Sequence, residues 1–521
     1  MLTIDGNTLT ISEVVAVARH GEDVELTSQA KENIRRARAW VQGIIAAGEP
    51  VYGINTGFGI FSDRRISAQD SAKLSRNLIL SHAVGTGAPL PEEVVRAAML
   101  IRANTLAIGH SGARLVIVET LLEMLKRGVT PVIPSQGSLG SSGDLAPLSH
   151  LALVFSTDEN DREEESGQAI YKGQTMNGKA AMEAAGIPRV VLQAKEGLAI
   201  NNGATFSAAI AALAIHDAEN LLSVSEISLS MSLEALLGVS KAFDDRLHAA
   251  RHHPGQIATA KSVRRLTKGS TLLDTTDRVQ DAYSLRCGPQ IHGPAWETLE
   301  FVKKITEREI NAATDNPLLF DSETAISGGN FHGEAVGMSM DYLSIALSEI
   351  GGVSERRVFR MTDSSLNFDL PPMLVDNPQA AGLNSGMMMP QYTAASLVLE
   401  NKALASPDSI HSLPTSAEQE DHNANAMTAA RHTRQIVQNT AHILAIETYT
   451  AARALDLRLR AHPRAQMGVG TKAAHARIRA KVPYQAGDAL WGPEIAQVRE
   501  LITSGELVNY VRNSLADEVD G

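Results

Sequence analysis

A mainly α fold, with a long-helix bundle as its core and a smaller N-terminal mixed region carrying the chemical loops, is what this sequence predicts. Three observations predict it. Aromatic residues make up 4% of the 521-residue chain while hydrophobic residues make up 44%. Ala, Leu, Ile, Val and Met must therefore fill the interior, a mixture that favours helix-on-helix packing over sheet. Residues 205–237, 334–358, 391–405 and 424–458 stay apolar over long stretches with few breakers, and such helices bury themselves against one another. The opening residues behave differently, alternating short apolar runs with turn residues.

Taken in order, Leu2 to Ile4 and Thr8 to Ile11 flank Asp5-Gly6-Asn7, which predicts a small hairpin because Asp-Gly is a strong turn signal. Ser28 to Ala47, rich in Arg and Ala, predicts an amphipathic helix. Tyr52 to Phe61 (YGINTGFGIF) holds three glycines and an Asn, so it reads as an irregular loop. No linker divides the chain, and no fixed-period repeat is present. The texture changes near Thr205, which places an N-terminal region at 1–204 and the bundle with a C-terminal helical region at 205–521.

Charge and cysteine usage exclude several function classes. A formal net charge of -12 repels phosphate backbones and argues against a nucleic-acid partner. The acidic run from Asp158 to Glu165 reads as a solvated loop. Cys287 is the single cysteine, so neither an internal disulfide nor a Cys-rich zinc site is possible. The N-terminus lacks a basic region followed by an apolar one, and no stretch reaches the ~18 apolar residues of a spanning helix. The expectation is a soluble, cytoplasmic chain with no membrane partner. His332-Gly333-Glu334 has H-x-E spacing, but a zinc deaminase also needs P-C-x-x-C. H-E-x-x-H is absent, and Met467 to Lys472 (MGVGTK) lacks the P-loop spacing. No metal site and no nucleotide site are expected.

Gly137 to His150 (GSLGSSGDLAPLSH) carries unusual chemistry. Gly143 has no side chain, so its amide nitrogen can approach a nearby carbonyl closely. In a tight turn that nitrogen can attack the carbonyl carbon of Ser141. Loss of one water closes a five-membered ring, and loss of a second from Ser142 leaves an exocyclic methylene. The product, a methylidene-imidazolone (MIO), is an electrophile that needs no external cofactor. Gly140 permits the approach, and Asp144 is placed to stabilise the turn.

GSLGSSGDLAPLSH closely resembles the signature of the family that contains the histidine and phenylalanine ammonia-lyases. The first ring residue of that family is usually Ala; here it is Ser141, and the ring uses only its backbone. Further matches follow in the family's order: YGINTGFG around Tyr52, Asn202-Gly203, QDAYSLRCGPQ from Gln280 to Gln290, Asn330-Phe331-His332, Glu400-Asn401-Lys402, and SAEQEDH from Ser416 to His422. The resemblance implies roles for these residues. Tyr52 would be the base, helped by Tyr283, since a phenol with a pKa near ~10 needs assistance at neutral pH. Arg286 would hold the substrate carboxylate through a bidentate pair. Asn202 and Gln280 would orient the substrate and the imidazolone oxygen, and Phe331 would pack the substrate ring. Helix capping, core packing and ordinary ion pairing are the plainer readings of the same residues. The resemblance also implies a homotetramer whose sites mix residues from several subunits.

Two places bear on the substrate. Ser81-His82, within LSHAVGTGAPL, resembles the histidine-specific pair, where phenylalanine enzymes carry apolar residues. Glu420 matches the carboxylate of histidine enzymes. A buried imidazole needs a hydrogen-bond partner, and a phenyl ring would leave that carboxylate desolvated and unpaired. The expected reaction is L-histidine to trans-urocanate and ammonia. A tyrosine or phenylalanine lyase, or an aminomutase, is the alternative. Tyr52, Ser142, Gly143, Arg286 and Glu420 are all present, which argues against an inactive helical scaffold.

Overall fold

The computed structural model describes residues 1–48, 50–57, 64–67 and 70–517. Among them are nineteen α-helices, and no strand exceeds four residues. The predicted mainly α class is therefore the observed one. The apolar stretches become the helices Thr205–Ala235, Glu334–Thr362, Met388–Leu404 and Ala426–Ala461, and the predicted Ser28–Ala47 helix is present. Among the described residues, no helix is long and apolar enough to cross a membrane.

The predicted N-terminal hairpin does not form. Leu2–Ile4 pairs in parallel with Val24–Leu26 instead. The Asp5 carboxylate accepts the amides of Asn7 and Thr8, so this turn is closed by a side chain and not by a hairpin ladder. Thr10 and Glu13 then form a reciprocal capping box that starts the Ile11–His20 helix. The acidic run is also more ordered than a solvated loop. Asp161 within it pairs with Arg189 and Lys179.

The chain gathers into two compact units. One comprises Met1–His216, Val302–Asp341 and Pro407–Arg431; the other comprises Asp217–Phe301, Tyr342–Ser406 and the residues from His432 onward. The interior of the second unit holds a buried ion pair. Arg357 and Glu447 are both fully buried, and Ser232 and Ser354 also donate to the Glu447 carboxylate. Every carboxylate oxygen thus has two donors, the condition under which a buried pair is tolerated.

In the first unit, three helices carry the loops of interest: Ser71–His82, Leu145–Phe155 and Glu196–Asn201. Gly197 lets two of them meet, because a side-chain carbon there would stand 2.7 Å from the Ser75 carbonyl oxygen. Asn201 Nδ2 donates to Ser149 Oγ at 3.2 Å and ties in the third.

Candidate active site

A cavity of about 1330 Å³ opens in the first unit. Its lining includes Tyr52, His82, Ser141, Ser142, Asn202, Phe331 and Glu420. These come from six separate stretches of sequence, so the fold brings together residues that the sequence could only nominate one by one.

Within the Gly137–His150 stretch the loop ends at Asp144, where the apolar Leu145–Phe155 helix begins. Asp144, fully buried, accepts from Ser138 Oγ at 2.7 Å, Ser207 N at 2.8 Å and Ser207 Oγ at 2.9 Å. Gly140 and Gly143 have φ of 66° and 79°, left-handed values that a side chain disfavours. Gly143 is bridged to Gly203 as in a parallel strand pair. The Ser142 carbonyl oxygen receives Asn202 Nδ2 at 2.5 Å and the Gly203 amide at 3.4 Å. Two donors on one carbonyl draw electron density from it. Ser141 Oγ donates to Leu139 O and accepts the Ala424 amide at 2.9 Å.

Tyr52 sits in a tight turn held by the Asn55 side chain, which accepts the Val51 amide at 2.7 Å. The later part of that predicted loop, residues 58–61, lies outside the described residues. His82 closes the Ser71–His82 helix, with Ser81 Oγ 3.0 Å from its Nδ1. Burial lowers the His82 pKa from its ordinary value, against the Leu78 carbonyl and the Glu420 charge, which raise it. The neutral ring is therefore the favoured form. Glu420 is presented by a short closed loop: Thr415 and Glu420 exchange both backbone hydrogen bonds, and Thr415 Oγ1 donates to Glu420 Oε2 at 3.3 Å. Ser416, Ala417 and Glu418 all have positive φ, between 51° and 68°, and such non-glycine strain clusters where side-chain placement matters.

Gln280, Tyr283 and Arg286 do not line this cavity. They belong to the second unit. Tyr283 is 68% exposed. The Arg286 guanidinium stacks on it at 4.7 Å and donates to the Asp281 carbonyl.

Sequence reasoning missed Asn77 and Asn316, which also line the cavity. Asn77 had a signal: Leu74, Asn77, Leu78, Ser81 and His82 share one helical face, found by counting back from His82 in helical steps. Asn316 precedes Pro317, a turn dipeptide. It holds Ser327 Oγ and the Gly328 amide through its side chain. His332 and His422, inside motifs already noted, stack with ring centroids 6.1 Å apart.

Comparison with known proteins gives consistent matches. The profile described as aromatic amino acid lyase matches residues 9–480. A histidine ammonia-lyase from Caldanaerobacter subterraneus subsp. tengcongensis is 48% identical over 514 residues, 98% of each chain. Among solved structures, the histidine ammonia-lyase of Trypanosoma cruzi is 35% identical, with a TM-score of 0.89 over 98% of this chain and 95% of its own. The tyrosine aminomutase of Streptomyces globisporus is 32% identical, with a TM-score of 0.91 over 98% of both.

Proposed function

The chain belongs to the aromatic amino acid lyase family, and from that premise we propose that it eliminates ammonia from L-histidine to give trans-urocanate. One observation carries the substrate: Glu420 and His82 line the same cavity as the Ser141–Ser142–Gly143 loop. An imidazole ring placed there has a carboxylate to accept its N–H, whereas a benzene ring would leave that carboxylate desolvated and unpaired.

The loop residues fit the ring-forming chemistry. Gly143 carries the left-handed φ of a tight turn. Gly140 packs so closely that an added carbon would lie 2.6 Å from Ala426 Cβ. The Ser142 carbonyl, which would become the imidazolone oxygen, already has its two donors. Once formed, the methylidene-imidazolone supplies an electrophilic carbon that converts the substrate's amine into a better leaving group.

The remaining work falls to side chains. Asn202 and the Gly203 amide polarise the Ser142 carbonyl and so increase its electron demand. Tyr52 takes the proton from the carbon next to the substrate's ring. Glu420 accepts the substrate imidazole N–H, His82 offers a neutral ring for a second hydrogen bond, and Phe331 packs the imidazole. We assign Gln280, Tyr283 and Arg286 to the same site through assembly: in a homotetramer they reach the cavity of a neighbouring subunit, where Arg286 holds the carboxylate and Tyr283 assists Tyr52.

The test is a product assay with histidine, phenylalanine and tyrosine side by side. Urocanate and one equivalent of ammonia from histidine, with little from the others, is the expected result. Retention of the amine as β-histidine would make the enzyme an aminomutase. Preferential turnover of phenylalanine or tyrosine would overturn the role of Glu420.

A further inference from the structure

Against the loop lies a buried group of charges that the proposed chemistry does not use. Arg102, in the Glu92–Ala107 helix, is 0% exposed. Its Nη1 donates to the Ala199 carbonyl at 3.3 Å, its Nη2 to Thr205 Oγ1, and its Nε has no partner among the described residues. A side-chain carbon on Gly203 would stand 2.8 Å from Arg102 Nη2. The guanidinium is therefore seated directly against the residue that is bridged to Gly143.

Four other ionisable groups complete the cluster. Lys195 and Asp315 form a fully buried ion pair at 2.6 Å and neutralise each other. The charge of Arg102 is opposed by Asp315, which Lys195 shares, and then by Asp144 and Glu309. An uncompensated buried charge is costly, so ionisation favours the better-bonded of Asp144 and Glu309. Burial pushes both upward, and hydrogen bonding decides between them. Asp144 accepts three hydrogen bonds. Glu309 Oε1 has no partner among the described residues. Asp144 is therefore the better-stabilised carboxylate of the two.

We propose that Arg102 is a positioning residue for ring formation: it seats Gly203 against Gly143 beside the Asp144 carboxylate that holds the turn, and it does not line the substrate cavity. In ring formation the Gly143 nitrogen bonds to the Ser141 carbonyl carbon, and the nitrogen's proton passes to that carbonyl oxygen. The oxygen then leaves as water together with the Ser142 amide hydrogen. The Ser142 hydroxyl and its Cα hydrogen leave as the second water. No oxidant or external group is needed. A protonated Asp144 would lose acceptor capacity for Ser138 or Ser207, and the turn that presents the Gly143 nitrogen would loosen.

This inference rests on the ring-forming reading above. Full-length wild type, Arg102→Gln, Arg102→Lys and Thr205→Val are expressed for matched times. Intact mass resolves unmodified chains from chains lighter by two waters, turnover is measured per lighter chain, and a thermal melt is run on each. Arg102→Gln should mature more than ~10-fold slower, given how steeply intramolecular reactions depend on alignment. Arg102→Lys, which keeps the charge, should fall between, and Thr205→Val should be slowed with an unshifted melt. Turnover per lighter chain should fall far less than maturation does in all three. If Arg102→Gln does not fold, the other two decide. Maturation at the wild-type rate in Arg102→Lys and Thr205→Val overturns the proposal, as does a loss of turnover per lighter chain as large as the loss of maturation. A wild-type chain at full mass would instead sink the ring-forming reading itself.

Discussion

Gly143 and Gly203 lie backbone to backbone, so close that a carbon added to Gly143 would stand 2.1 Å from the Gly203 amide nitrogen. Gly143→Ala must therefore push the two segments apart as well as adopt a left-handed φ. The expected cost is more than about 2 kcal/mol of stability, with no chain lighter by two waters. Denaturant unfolding and intact mass check both. A normally matured, normally stable variant would refute the close pairing.

Ser142→Ala separates chemistry from folding. The variant keeps the backbone and the Asn202 contact to the Ser142 carbonyl but has no hydroxyl to lose. It should melt within ~1 °C of wild type, equivalent to roughly 1 kcal/mol for a chain of this length. It should lack the near-ultraviolet absorbance of the imidazolone and most activity. Normal histidine turnover would remove the electrophile from the mechanism.

Glu420→Gln tests substrate choice. Glu420 is half-buried and bound to Thr415, so its removal should barely move the melt. Histidine kcat/KM should fall by ~100-fold, the usual scale for losing one aligned polar group in a site, while phenylalanine turnover should not fall with it. A melt that collapses in step with activity would point to a structural carboxylate.

The proposed sharing of sites between subunits makes a prediction about mixtures. Tyr52→Phe and Arg286→Ala should each be nearly inactive alone. Co-expressed, they should recover a fraction of wild-type activity, because some cavities would combine an intact Tyr52 with an intact Arg286 from another subunit. No recovery in verified mixed oligomers would place both residues in one chain's site.

Glu234 predicts a pH effect on stability. Its carboxyl is buried, accepts the Gly468 amide at 2.7 Å, and is pushed from the ordinary 4.5 up to about 7 by burial. The folded chain thus holds a proton that the unfolded chain releases. The stabilisation is complete below pH 4.5 and is lost as pH rises towards 7. Relative to Glu234→Gln, wild type should lose on the order of 3 kcal/mol between pH 4.5 and 7, then stay level above it. Denaturant midpoints across that range check it, and parallel curves would refute it.

The parts of this protein that were legible in its sequence are those where one stretch of chain carries the whole signal. The four long helices announced themselves by unbroken apolar content, and Gly137 to His150 by a loop whose backbone alone can react. The N-terminal hairpin was misread because Asp5-Gly6 has the same letters whether the turn is closed by a strand partner or by the Asp5 carboxylate. Arg102, Lys195, Glu309 and Asp315 were invisible for a different reason. Each looks like an ordinary surface charge in its own helix or loop, and only tertiary packing buries Arg102, Lys195 and Asp315 and brings Glu309 towards them. Gln280, Tyr283 and Arg286 could be nominated by motif, but a motif does not say which cavity a side chain faces.

The hydroxyl of Ser141 accepts the Ala424 amide, four residues beyond Glu420. The strip proposed to discriminate among substrates is thereby clasped to the strip proposed to react with them. Remodelling 415–425 to admit a different amino acid would have to keep that amide in place or leave the hydroxyl stranded. An alanine at 141 would carry no such tether, so this chain has less freedom to diversify its specificity by reshaping that edge of the pocket.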